Sequence, residues 1–274
     1  EATELSKMGY EIKVFVKDKD YEFISSLYAD IPESKKIIIP YLSSSSDKSY
    51  LFSNNFDSNL SYLAKDLDIL IATIFSSVEI LKNLINYIPT IMPAYYAQDY
   101  EPLFFEKNND LYKKAYDSYS LIEKNVIFAK TRWICNQIKE KHGIKVHKVI
   151  PSIDENIYFE RSRSAYSKKT IFAMIRPSTP RRGAERTMLL LKNLKEKFGN
   201  EIEINTFGCS INDPKFIKME RNFKFEHHGI LKRIEVAFLA GKSDIFIDLS
   251  DYQAFGRTGL EAMASGCVSI LPAV

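Results

Sequence analysis

Asp248-Leu-Ser-Asp-Tyr-Gln-Ala-Phe-Gly-Arg-Thr-Gly-Leu-Glu-Ala-Met-Ala-Ser-Gly266 is a polar loop that becomes a helix between two apolar runs. Asp244-Ile-Phe-Ile-Asp-Leu249 before it and Cys267-Val-Ser-Ile-Leu271 after it have the near-continuous apolar character of strands buried on both faces. Strand, helix and strand in that order make a β-α-β unit with residues 256–265 as its crossover helix. The helix opens on glycines, so its first N–H groups and positive dipole end lie beyond the strand's carboxyl edge, where open α/β sheets take ligands. Gly256 and Gly259 give an anion room to approach the backbone, and Glu261 offers a carboxylate to sugar hydroxyls. The same geometry also serves α/β turns that hold nothing, and the loop alone does not separate the two readings.

A second stretch has the same form. Thr170-Ile-Phe-Ala-Met-Ile175 reads as a strand and runs into Arg176-Pro-Ser-Thr-Pro-Arg-Arg-Gly-Ala-Glu185, ahead of a long amphipathic helix ending near Phe198. Taken by itself, 176–182 is a solvated turn whose prolines block helix and whose arginines face water. Beside the first loop, at the carboxyl edge of another strand, it becomes half of a convergent anion site. Guanidinium groups suit a diphosphate because each presents a planar fork of donors and stays charged.

Gln253-Ala-Phe-Gly-Arg-Thr-Gly-Leu-Glu261-Ala-Met-Ala-Ser-Gly266 resembles the donor-site signature of retaining glycosyltransferases of family four, E-x-F-G-x-x-x-x-E-A-M-A-x-G, with glutamine at the first acidic position. The resemblance implies a GT-B architecture: α/β, two doubly wound Rossmann-like domains facing a cleft. It carries Glu261 over as the ribose ligand and Arg176 with Arg182 as the diphosphate clamp, where the family has Gly-Arg and Lys-Gly. It extends the donor site over Gly208, Ser250, Tyr252, Phe255, Gly256, Arg257, Thr258 and Gly259. Gln253 takes the place of a catalytic glutamate and can bond a hydroxyl or a phosphate through its amide, but brings no negative charge to an oxocarbenium centre. Pro93-Ala-Tyr-Tyr-Ala-Gln-Asp-Tyr-Glu-Pro102 and Arg176-Pro-Ser-Thr-Pro-Arg181 are similar to bacterial members that add rhamnose or related sugars to surface polysaccharides. The resemblance thus implies a hexosyltransferase that uses a nucleotide-diphosphate sugar, a saccharide or lipid-linked saccharide acceptor, and no metal or further cofactor. The scattered cysteines add a reducing, cytoplasmic setting, and the lysines of 139–148 add peripheral contact at the inner face of the membrane as an extension.

Bulk properties agree with that class. The chain has 274 residues, 45% of them hydrophobic, enough for a substantial core, and its length is a soft prior for two domains. The net charge is +3, with the basic excess in the second half. So mild a charge suits a small polyanion better than nucleic acid. The lysines of 139–148 are read first as a solvated helix face and second as a contact for anionic lipid. Cys135, Cys209 and Cys267 are odd in number and scattered, which points to reduced thiols. No C-x-x-C pattern or histidine pair at ligand spacing predicts a metal, and no apolar run approaches the ~20 residues of a membrane span. Both ends read as truncated: 1–8 resembles a helix tail without its preceding strand, and Val274 closely follows a strand.

Strand and helix patterns alternate throughout. Strands are expected at 11–16, 68–73, 90–93, 125–129 and 146–150, and helices at 76–87, 110–119 and 131–142. The serine-rich 43–55 is expected as a surface loop, with domains at 1–150 and 170–274 joined by a linker at 151–169. On the acceptor side, Gln98, Asp99 and Tyr100 follow a strand. Asp99 orients an acceptor hydroxyl and Tyr96 or Tyr100 stacks on a sugar, or else Asp99 makes an Asx-type turn before Pro102. His227-His228 is expected to be a packed turn rather than a catalytic base, Gly208 either donor clearance or a strand-ending turn, and Trp133 core. Two rival activities remain: a nucleotide-sugar isomerase of the same shape, and a catalytically silent binding module.

Overall fold

The computed structural model describes residues 2–28, 37–41, 56–163 and 168–273, and the expected loop at 43–55 lies outside the described residues. The chain divides into two compact units, Glu1–Ala129 with Ile134–Lys148 and Lys130–Trp133 with Val149–Val274.

In the first unit, helix α1 (Ala2–Lys7) ends through Gly9 at φ 94°, and β1 (Val14–Lys17) pairs in parallel with β2 (Ile38–Tyr41). Helix α2 (Asp18–Leu27) lies between them, a helix that the sequence reading did not anticipate. Helix α3 (Phe56–Ala64) leads to a four-stranded parallel sheet in the order β3 (Ile69–Ala72), β4 (Met92–Ala97), β5 (Val126–Ala129), β6 (His147–Lys148). Helices α4 (Phe75–Tyr87), α5 (Asp110–Asp117) and α6 (Arg132–His142) connect these strands. Leu60 of α3, Leu84 of α4 and Tyr41 of β2 form one buried cluster, and Ala64, Ile88 and Ile91 another.

The second unit is a five-stranded parallel sheet in the order β11 (Val268–Ile270), β10 (Ile245–Ile247), β7 (Lys169–Met174), β8 (Ile202–Phe207), β9 (Glu226–His227). Helices α7 (Ala184–Phe198), α8 (Pro214–Ile217), α9 (Arg233–Lys242) and α10 (Arg257–Ala264) intervene. Strand period decides which helix covers which face. Ile171, Ala173 and Ile175 pack with Met188 and Leu191 of α7, whereas Phe172 packs with Val236 and Ala240 of α9 and Ala262 of α10. Burying each large apolar side chain of this kind is worth roughly 1.5–3 kcal/mol. Strand β9 is short, and Phe223 and Phe225 just before it pack onto the α7-side cluster.

The expected linker is hydrogen-bonded along its first part to the second unit. Arg161 Nη1 donates to Ala237 O at 3.2 Å, and Arg163 donates to Gly241 O at 3.1 Å, Gly266 O at 2.9 Å and Ser265 O at 2.5 Å. Gly241 O lies in the last turn of α9, and Ser265 O and Gly266 O directly follow α10, where helices leave carbonyls unbonded, whereas Ala237 O is inside α9. Residues 164–167 lie outside the described residues.

Strand order locates the switch point of the sheet. From β7 the chain moves outward through β8 and β9, then returns to lay β10 against the other side of β7. The direction of winding therefore reverses between β7 and β10, the kind of point at whose carboxyl ends open α/β sheets bind ligands.

Candidate functional site

The loops leaving β7 and β10 are the two singled out in the sequence, and the register sets Ile247 beside Ala173. Each loop enters its helix through a left-handed glycine, Gly183 at φ 62° before α7 and Gly256 at φ 63° before α10. The loops are tied together. Asp251 N donates to Arg181 O at 2.8 Å, Arg186 Nε to Leu249 O at 2.5 Å, and Arg186 Nη2 to Asp251 Oδ1 at 2.6 Å. A Cβ on Gly183 would run into the Leu249 carbonyl oxygen and the Arg186 side chain, so this approach requires glycine as much as the backbone angle does.

Between the loops lies a buried polar network centred on Asp248, which is 8% exposed. Asp248 Oδ1 accepts from Ser250 N at 2.9 Å and from the Ser250 hydroxyl, while Oδ2 accepts from Gln253 Nε2 at 2.7 Å. Gln253 Nε2 also donates to Ser250 Oγ at 2.9 Å. Arg182 Nη1 lies 3.9 Å from Asp248 Oδ2, which brings the arginine expected in the clamp to the end of β10. Arg176 is exposed at the end of β7, and the Arg181 guanidinium sits 5.0 Å from the Tyr252 ring centroid. Trp133, expected in the core, is half-buried; it groups with the second unit and its ring meets Tyr252 at 5.8 Å. Lys130 Nζ similarly lies 5.4 Å from the ring of Phe255.

The two glycines of α10 have different jobs. Gly256 makes the left-handed entry, with Arg257 and Thr258 as the first helical residues. Gly259 was expected to admit an anion, but it is buried, its N–H is bonded to Gly256 O at 2.9 Å, and a Cβ there would press on the Leu271 side chain at 2.7 Å. Its smallness serves packing. Glu261 is half-buried, and burial pushes its carboxyl up to about 7 against the opposing pull of Arg257, the Tyr158 hydroxyl and Arg233. The Tyr158 hydroxyl donates to Arg233 O at 3.2 Å, and Arg233 pairs with Asp154 at 3.1 Å.

Gly208 has φ 111°, and a Cβ there would stand 2.9 Å from Ile175 O, so β7 itself already requires the glycine. His227 is packed: its ring nitrogens lie 2.9 Å from Thr206 Oγ1 and 3.0 Å from Cys209 O, its ring lies against Phe216, and burial lowers its pKa.

In the first unit the three residues expected on the acceptor side follow β4. Gln98 Nε2 donates to Thr73 O at 3.3 Å, and Asp99 Oδ1 accepts from Tyr100 N at 2.9 Å, the next residue rather than the one after it that closes an Asx-type turn. Tyr100 is corrected: at 1% exposure it stacks on Tyr119, and its hydroxyl meets His142 Nε2 at 3.1 Å, so it has no face to offer a sugar. Glu101, next along, is a buried carboxylate that the sequence reading left without a role. It accepts from Phe75 N, at the start of α4, at 2.6 Å and from the Tyr95 hydroxyl at 3.1 Å, and burial pushes it up to about 7.

Among the described residues, no three His, Cys, Asp or Glu side chains cluster as a metal site, and no helix is long and apolar enough to cross a membrane. The residues missed in the sequence are Asp248, Tyr158, Arg233 and the Arg186–Asp251 pair. Only Asp248 carried a local signal, as an acid closing an apolar strand.

No family model and no curated protein sequence matches the chain. Solved structures do. Sucrose-phosphate synthase from Thermosynechococcus elongatus aligns with TM-score 0.66 at 11% identity, over 86% of this chain and 65% of that one. Anabaena HepE in complex with UDP and glucose aligns with TM-score 0.67 at 11% identity, over 89% and 70%. An alpha-glucosyltransferase in complex with UDP and DNA aligns with TM-score 0.57 at 18% identity, over 86% and 66%. At these identities the likeness speaks for the fold: mixed α/β with parallel sheets, matching GT-B glycosyltransferases. The chain spans 65% of the length of the sucrose-phosphate synthase it matches.

Proposed function

We propose that the second unit is the donor site of a glycosyltransferase, binding a nucleotide-diphosphate sugar at the carboxyl ends of β7 and β10. The observation that carries this reading is the placement of Arg182 and the α10 entry on two hydrogen-bonded loops at the point where the sheet reverses its winding. Arg176 and Arg182 neutralise the charge that grows on the leaving diphosphate, and the opening of α10 adds its dipole. Each well-placed donor of this kind is worth about 2.7–4 kcal/mol in a transition state, which is enough for departure without a metal. Glu261 accepts from the ribose. Retention of anomeric configuration, a rhamnose donor and a surface-polysaccharide acceptor follow from the sequence resemblance, and the free cysteines favour a cytoplasmic setting. The UDP complexes among the structural neighbours make UDP the first probe.

The test is release of the free diphosphate from a panel of UDP-, TDP- and GDP-sugars in the presence of saccharide acceptors. Transfer from at least one donor is expected, with kcat/KM falling at least a hundredfold in Arg182→Ala and in Arg176→Ala. Variants as active as the parent chain overturn the clamp, and binding without transfer leaves the silent module as the better reading.

A further inference from the structure

We propose that Asp248 is a positioning residue that fixes the polarity of its loop and thereby dictates glutamine at position 253. The argument follows the protons. A carboxylate only accepts, so the Ser250 hydroxyl must turn its hydrogen toward Asp248 Oδ1. That leaves Ser250 Oγ as an acceptor, which Gln253 Nε2 satisfies at 2.9 Å. The second hydrogen of Nε2 goes to Asp248 Oδ2 at 2.7 Å. Both hydrogens of the amide are thus bound inside the protein, and the orientation of the amide is set because the reverse would point an oxygen at two acceptors. The network is buried, with Asp248 at 8%, Ser250 at 6% and Gln253 at 9% exposure, so a mismatch in it goes unscreened by water.

Two consequences follow. First, a glutamate at 253 sets two carboxylates at hydrogen-bond distance; Arg182, 3.9 Å from Asp248 Oδ2, offsets part of the charge, and sharing a proton relieves the remaining repulsion. Glutamine is therefore the complement of Asp248, and the loop's negative charge resides on Asp248. Second, resting on the donor-site reading, Gln253 meets the ligand through Oε1 alone, as an acceptor. It suits a hydroxyl of the donor and not a phosphate oxygen.

The test is a polarity exchange. Gln253→Glu, Asp248→Asn and the double variant are compared with the parent chain by thermal denaturation from pH 6 to pH 9. Gln253→Glu is expected to lower the midpoint, and to do so more at pH 9 than at pH 6, because the shared proton is lost. Asp248→Asn brings the donors of Gln253 and Ser250 against an amide and also lowers it. The double variant, in which the new amide at 248 donates to the new carboxylate at 253, recovers more than half of the loss of the worse single variant. A Gln253→Glu chain as stable as the parent at pH 9, or a double variant no better than its worse parent, overturns the proposal. Soaking crystals of the parent chain with UDP-glucose tests the second consequence: a sugar hydroxyl against Gln253 Oε1 supports it and a phosphate oxygen there overturns it. UDP titration of the parent chain judges the donor-site reading separately, since absence of binding removes that reading while the stability exchange still decides the role of Asp248.

Discussion

Glu101 and Glu261 are carboxyl groups in different units, and burial raises both to about 7. A raised acid pKa means that the folded chain keeps a proton which the unfolded chain releases in the ordinary carboxyl range. Its contribution to stability is therefore complete below that range and lost as pH climbs through 7. The melting temperature is expected to fall between pH 5 and pH 8, and Glu101→Gln to flatten that fall; an unchanged slope in the variant contradicts the assignment. Glu261 has a second, opposite readout. Accepting from a ribose is done best by the ionised form, so UDP affinity should rise from pH 6 to pH 8. Glu261→Gln is expected to weaken binding about tenfold, the value of a charge-assisted hydrogen bond, and to remove the pH dependence. Calorimetry at both pH values checks this.

Elements meet at the site through glycines that look alike in sequence and differ in surroundings. Gly183 and Gly256 share a left-handed backbone, but a Cβ at Gly183 collides with the β10 loop, whereas at Gly256 its nearest neighbour is Gln253 Cβ at 3.6 Å. Gly256→Ala is expected to cost about 1–2 kcal/mol for the backbone alone. Gly183→Ala adds displacement of Leu249 and Arg186, so it should lower the melting temperature further and weaken UDP binding as well. Equal losses in the two variants contradict the coupling of the loops. This is also where the reading of sequence reached its limit. Period and apolar content placed most of the strands and long helices within a few residues, because buried parallel strands and amphipathic helices write their surroundings into local pattern. They did not tell Gly259, which packs on Leu271, from a glycine clearing space for an anion. Helix α2 also escaped, since its apolar positions are few and Phe23 is exposed.

The whole molecule was legible in fold class, because strand and helix patterns alternate along the chain and the 253–266 signature resembles that of GT-B glycosyltransferases. The network behind the site was not, since it depends on contacts such as Asp248 to Gln253 and Arg186 to Asp251 whose proton directions and cross-loop partners local pattern does not encode. Screening offers a further check at this scale. If Arg176 and Arg182 hold a diphosphate, UDP affinity should decline as salt rises from roughly 50 to 500 mM, and decline less steeply in the Arg176→Ala/Arg182→Ala chain. Parallel salt dependence in the two chains contradicts the clamp. The most direct measurement is the position of the diphosphate in crystals of the chain soaked with UDP. The account predicts its phosphates between the Arg182 guanidinium and the opening of α10 at Gly256, Arg257 and Thr258, with the ribose against Glu261. A diphosphate at the amino-terminal edge of that sheet, or held only by the first unit, would contradict it.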